Sequence, residues 1–165
     1  MLRAIVHCSD FWAPRNSGNM VKTPLEFVAS AARALGADPD STPRLAQVVA
    51  RLGEPLFQHV APDGYPEREE DWVNSGALLN RMNAAVQLAA GRLPGVTVNV
   101  DSLVPDTVAT PGELATAVDR TLFAGTLSDH TRQVITQQVA DIKNPVQARV
   151  LAIGLEIPTV GSVVL

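Results

Sequence analysis

Four prolines stand directly behind residues that cap helices, and this pairing constrains the fold of the chain more than any other feature. The pairs are Thr23-Pro24, Thr42-Pro43, Thr110-Pro111 and Asn144-Pro145. Proline suits the first helical position, where its missing N–H would have had no partner in any case. Thr or Asn just before it can accept a first-turn N–H that the helix leaves unbonded. Glu26 and Glu113 follow Thr23 and Thr110 by three residues and complete capping boxes, and Gln147 stands at the same offset from Asn144. Each pair therefore predicts a helix start.

Apolar spacing continues each start into a helix. In 24–35, Leu25, Val28, Ala32 and Leu35 fall on one face, and Gly36 supplies the stop. In 43–52 the face is Leu45, Val48, Val49 and Leu52, closed by Gly53. The longest pattern, 75–91, has an apolar stripe of Leu78, Leu79, Met82, Ala85, Val86 and Ala89, with Asn80, Asn83 and Gln87 opposite. Further helices are predicted over 111–124, over 128–142 from a Ser128 cap, and over 145–154. An opening helix at about 2–9 leads to the aromatic pair Phe11-Trp12. Residues 54–74 and 93–109 read as long loops. The second contains Val96-Thr97-Val98-Asn99-Val100, an alternating β-branched run suited to a short β-element near 96–100. The expected fold is all-α, with six or seven helices joined by two long loops.

Composition narrows the function classes. A chain of 165 residues that is 46% hydrophobic and 18% charged can bury a core, and with aromatics at 4% that core must be mainly Ala, Val and Leu. Net charge is −4, with Lys and Arg scattered rather than set in a basic stripe, which argues against nucleic-acid binding. One cysteine, Cys8, cannot form an internal disulfide or a Cys-rich zinc site. His7, His59 and His130 have no ligand spacing, so no metal site is expected, and no sequence motif calls for a cofactor. No apolar run approaches the roughly 18 residues of a membrane span. The N-terminus has too short an apolar part for an export signal. Nucleophile elbows, phosphate-binding loops and dinucleotide-binding turns are absent as motifs.

The least generic stretch runs from Pro62-Asp63-Gly64-Tyr65-Pro66 through Trp72 to Arg81. Asp-Gly is strong turn chemistry, because Asp can cap the turn and Gly can take positive φ. Tyr65 and Trp72 offer apolar bodies with hydrogen-bonding tips, suited to a ligand or partner, or simply to anchoring the loop on the helices. Glu67, Glu69, Glu70 and Asp71 match no calcium-loop spacing and read as a solvated charge run. Arg81 flanks the apolar stripe of its helix and can reach water or turn inward toward a carboxylate such as Asp63 or Glu26. Glu26 and Arg33 lie two turns apart on one side of helix 24–35, so Glu26, Arg33 and Arg81 form a candidate ionic network. Asp63, Tyr65, Trp72 and Arg81 are the candidate contact residues.

Several blocks carry a family resemblance. They include Leu2-Arg3-Ala4-Ile5-Val6 with Phe11-Trp12, Val21-Lys22-Thr23-Pro24-Leu25-Glu26-Phe27-Val28 with Arg33-Ala34-Leu35-Gly36, and Pro62-Asp63-Gly64-Tyr65-Pro66 with Trp72. Gly76-Ala77-Leu78-Leu79-Asn80-Arg81-Met82-Asn83, Thr110-Pro111-Gly112-Glu113-Leu114 and Ala148-Arg149-Val150-Leu151-Ala152 follow in order. Together they resemble the C-terminal part of the large bacterial family called domain of unknown function 1800. The resemblance implies longer, exported relatives of unknown activity and supplies no catalytic residues. Where relatives close on a Ser-Pro-Glu-Phe-like block, this chain has Glu156-Ile157-Pro158-Thr159-Val160-Gly161.

The sequence thus leads to one helical domain over 1–154 and an apolar tail over 155–165. The expected role is that of a non-catalytic module of a larger exported protein, supporting binding or assembly. Its partner would be another protein or the remaining N-terminal part of the family protein. Two alternatives stand beside it. The chain could be the C-terminal part of an enzyme whose catalytic groups lie in that N-terminal region, or a truncated remnant without independent function.

Overall fold

The computed structural model describes residues 1–13, 21–66, 68–104 and 110–156, with the backbone alone at 69, 70, 101 and 156. Of the expected tail over 155–165, residues 155 and 156 continue the last helix, and 157–165, like Glu67 of the acidic run, lie outside the described residues. The fold is mostly α-helical. Its helices are α1 (Leu2–Val6), α2 (Pro24–Ala34), α3 (Arg44–Arg51), the single turn α4 (Glu69–Trp72), α5 (Ser75–Ala89), α6 (Pro111–Phe123), α7 (Asp129–Ala140) and α8 (Pro145–Glu156). Two short strands, β1 (Asp38–Pro39) and β2 (Val96–Thr97), pair antiparallel with Asp38 opposite Thr97.

The capping chemistry forms where it is local. The Thr23 hydroxyl accepts the Glu26 N–H while the Glu26 carboxylate accepts the Thr23 N–H, and Thr110 and Glu113 repeat the exchange. The Asn144 side chain accepts from Val146 and Gln147, and Ser128 caps α7. The third proline pair departs from expectation. Thr42 gives both its N–H and its hydroxyl to Asp40, so α3 starts one residue later with Pro43 at its cap. Asp40 outcompetes the helix because an Asx turn needs only a two-residue reach. That double hydrogen bond also holds the Asp40 carboxyl below its usual range. At the N-terminus α1 ends at Val6 rather than near residue 9, and none of its residues is buried.

The core joins α2, α3, α5, α6, α7 and α8, and its largest fully buried side chains include Leu35, Val104, Val118, Ile135, Val139 and Ile153. Aromatic scarcity is met by small residues at close crossings. Gly154 of α8 sits so near α5 that an added Cβ would lie 3.2 Å from Val86 Cα. Two apolar stripes sit differently from their sequence reading. In α2 the buried side chains are Pro24, Phe27, Val28 and Ala31, with Leu35 just after the helix, whereas Leu25 is exposed and Ala32 half-buried. In α5 the buried set is Arg81, Ala84, Ala85, Leu88 and Ala89, and Leu78, Leu79 and Met82 face solvent. Close helix contact selects the Ala-rich face, since small side chains let backbones approach, and this outweighs the larger apolar area of the leucines.

Of the alternating run near 96–100 only Val96–Thr97 forms strand, paired with Asp38–Pro39, whose proline hides it from sequence reading, and Val100 already opens a short 3-10 helix over Val100–Ser102. The ribbon ties the α2–α3 connection to the segment after α5, and Asp40 N–H extends it by donating to Gly95 O at 2.9 Å. Gly95 has φ +88, and a Cβ there would lie 2.6 Å from the Leu45 amide nitrogen. Both the dihedral and the backbone approach exclude a side chain. Gly95→Ala should lower unfolding free energy by about 2 kcal/mol in urea melts. A change within about 0.5 kcal/mol would mean that this approach is not tight.

Candidate functional site

The loop between α3 and α5 is held by its own aromatic residues. Gly53 ends α3 at φ +109, and Gly64 takes φ +81 in the Asp63-Gly64 turn. The Tyr65 hydroxyl donates to Pro55 O at 2.6 Å, and Trp72 Nε1 donates to Pro66 O at 2.9 Å. Each bond closes part of the loop onto itself. The rings also pack together, with His59 to Tyr65 centroids 4.6 Å apart and Tyr65 to Trp72 centroids 6.2 Å apart. Trp72 is buried and Tyr65 half-buried, so both tips are committed to backbone carbonyls. Asp63 is exposed at the turn. Asn74 then caps α5 by accepting the Ala77 N–H.

Tyr65→Phe tests the first of these bonds. The ring stays and the hydroxyl goes, leaving the Pro55 carbonyl without that donor. We expect a stability loss of about 1 kcal/mol by chemical denaturation, with little change in far-UV circular dichroism.

Arg81 turns inward. Its residue exposure is only 6%, and its guanidinium carbon lies 5.6 Å from the Phe27 ring centroid. Its Nε and Nη2 are buried and have no hydrogen-bond partner. Burial lowers the Arg81 pKa, and the charge of Glu54 acts in the opposite direction. Glu54, 8% exposed, bonds the Leu25 N–H with Oε2 at 2.8 Å, at the first turn of α2. One carboxylate thus bonds a helix N-terminus while its charge favours the cationic form of a buried arginine.

The structure therefore groups the candidate residues differently from sequence spacing. Tyr65 and Trp72 come together, and Arg81 meets Phe27 and Glu54. Glu26 spends its carboxylate on the Thr23 cap, and Arg33 is exposed. Glu54 escaped sequence reasoning. The available signal was its place directly after the helix-ending Gly53, where the Glu54 N–H returns to Val49 O and directs the residue inward.

A second charged junction also lay unread. Asp119 of α6 is buried, accepts the Leu127 N–H with Oδ1 at 3.1 Å, and pairs with Arg132 Nη2 of α7 at 2.7 Å. It fixes the α6–α7 corner, where Ala124 adopts φ +53. Two clefts flank these elements. One of about 440 Å³ lies where α6 and α8 begin, with Lys143 and Arg149 among its walls; the other, of about 200 Å³, lies between α3 and α5. Neither is lined by Tyr65, Trp72 or Arg81.

Among the described residues, no group of three His, Cys, Asp or Glu side chains is placed to hold a metal ion, and no helix is long and apolar enough to cross a membrane. The fold and the clamped loop define a mostly α-helical protein with a self-bonded aromatic loop and a buried arginine set against Phe27 of α2. Residues 1–159 match the family described as protein of unknown function (DUF1800), and the chain belongs to that family. No curated protein and no solved structure matches it.

Proposed function

We propose that the chain is a non-catalytic helical module with a binding or assembly role, and that it contacts a protein partner through loop 54–74 and the first turns of α5. One observation carries this reading. Phe57 and Val60 are fully exposed, and Val73, Leu78, Leu79 and Met82 stand out from the segment that follows. Leu78, Leu79 and Met82 are neighbours on one helical surface at spacings of three and four. Large apolar side chains left exposed on a loop and on the helix that follows it mark interaction sites.

The clamp supports the same reading. With the Tyr65 and Trp72 tips bonded internally, these groups shape the loop instead of presenting acid–base chemistry. A loop already held in place loses less freedom on docking, which favours affinity. Within the proposal, Asp63 forms the exposed polar edge, Tyr65 and Trp72 hold the loop's shape, and Arg81 packs α5 against Phe27 of α2. Photo-crosslinking in the producing cell tests the surface. A crosslinker at Leu79 should give a discrete protein adduct that Met82→Glu abolishes, while one at exposed Gln138 of α7 should not. Equal labelling at the two positions would overturn the proposal.

A further inference from the structure

The polar face of α5 has no part in the core or in the loop. Asn80, Asn83 and Gln87 recur at spacings of three and four, so their amides line one side of the helix. Asparagine is a weaker helix former than alanine, and neither Asn80 nor Asn83 serves as a cap. All three side chains border the cleft of about 200 Å³ between α3 and α5, and Arg51 of α3 borders it too. Within the described structure the three amides make no hydrogen bond, so their donors and acceptors are directed to the cleft and solvent. Arg51 holds only a long bond from Nε to Gln47 O, 3.4 Å.

We infer that this cleft binds a small hydroxylated carboxylate of the size and chemistry of one sugar acid. Val48, Leu52, Ala84 and Leu93, all buried, also border the cleft and leave a small apolar surface for C–H groups of a saturated ring. Each amide offers a donor pair and an acceptor, the combination that hydroxyl groups on adjacent carbons require. Arg51 supplies one planar guanidinium, matched to one carboxylate through paired N–H bonds. The volume lies below the roughly 300–1,000 Å³ of drug-sized sites, which limits the occupant to about one ring. A phosphate dianion would meet only one cation here, and a neutral sugar would leave that cation unused.

The test titrates the full 165-residue chain with D-glucuronate, D-glucose and acetate, following side-chain amide signals by NMR. D-glucuronate should saturate shifts confined to Asn80, Asn83 and Gln87. Glucose and acetate should each bind at least about tenfold more weakly, since each keeps one half of the recognition. Arg51→Gln should reduce glucuronate to the level of glucose. Asn83→Asp, which keeps the shape but adds a like charge, should abolish glucuronate binding. Both substituted residues are exposed, so circular dichroism should match the parent chain. Equal affinity for the three probes, shifts spread beyond the cleft, absence of saturation, or glucuronate binding that survives Arg51→Gln would each overturn the inference. The crosslinking result at Leu79 is independent of all these outcomes.

Discussion

Trp72→Ala is expected to destabilise the protein by about 3–5 kcal/mol, the largest loss among the substitutions considered. Trp72 is buried, its ring packs on Tyr65, and its Nε1 donates to Pro66 O. Truncation removes a large apolar area in a chain that has few aromatics to replace it. It also leaves the Pro66 carbonyl without its donor and frees the loop just ahead of the Asn74 cap of α5. Urea denaturation measures the loss. Trp72→Phe should recover most of it, falling short by the missing hydrogen bond, about 1 kcal/mol. A Trp72→Ala cost below about 1 kcal/mol would show that the loop is not anchored by this ring.

Glu54→Ala should cost about 3 kcal/mol, since it removes the carboxylate whose charge favours the buried Arg81 cation and leaves that cation uncompensated. Here the loss is double, because Glu54 also accepts the Leu25 N–H of α2. Glu54→Gln keeps an acceptor for that N–H and should cost less than Glu54→Ala. Arg81→Met should be better tolerated than Glu54→Ala, because Glu54 keeps the Leu25 N–H at the first turn of α2. It retains apolar contact with Phe27 and removes a guanidinium whose Nε and Nη2 are buried without partners. Combining Arg81→Met with Glu54→Gln should recover most of the Glu54→Ala loss, since the double variant buries neither charge and keeps an acceptor for the Leu25 N–H. If Glu54→Ala stays within about 0.5 kcal/mol of the parent, the carboxylate is not holding this junction.

These two predictions fall on residues that differ in how far sequence reveals them. Trp72 could be picked out because aromatic residues are rare here and this one follows a recognisable turn. Glu54 could not, since its partners Leu25 and Arg81 are 29 and 27 positions away in sequence. The same distinction divides the fold. The Thr23 and Thr110 capping boxes, the Ser128 cap and the Asn144-Pro145 start are all visible in sequence, each complete within three residues. Thr42-Pro43 carries the same signal and departs from it because Asp40, two residues earlier, reaches Thr42 first.

Local chemistry by itself therefore determined where most helices begin, where Gly53 and Gly64 turn the chain, and that the fold would be mostly helical. Capping, proline geometry and positive φ depend on atoms only a few bonds apart along the backbone. Tertiary packing alone decided which face each helix buries. The Ala-rich face of α5 is buried while Leu78, Leu79 and Met82 remain in solvent, because the fit of Gly154 against Val86 depends on two helices meeting. Packing also brought Glu54 to Arg81, paired Asp119 with Arg132, and set Arg51 across a cleft from Asn80, Asn83 and Gln87. In each case, partners far apart in the chain become neighbours only after the core has closed.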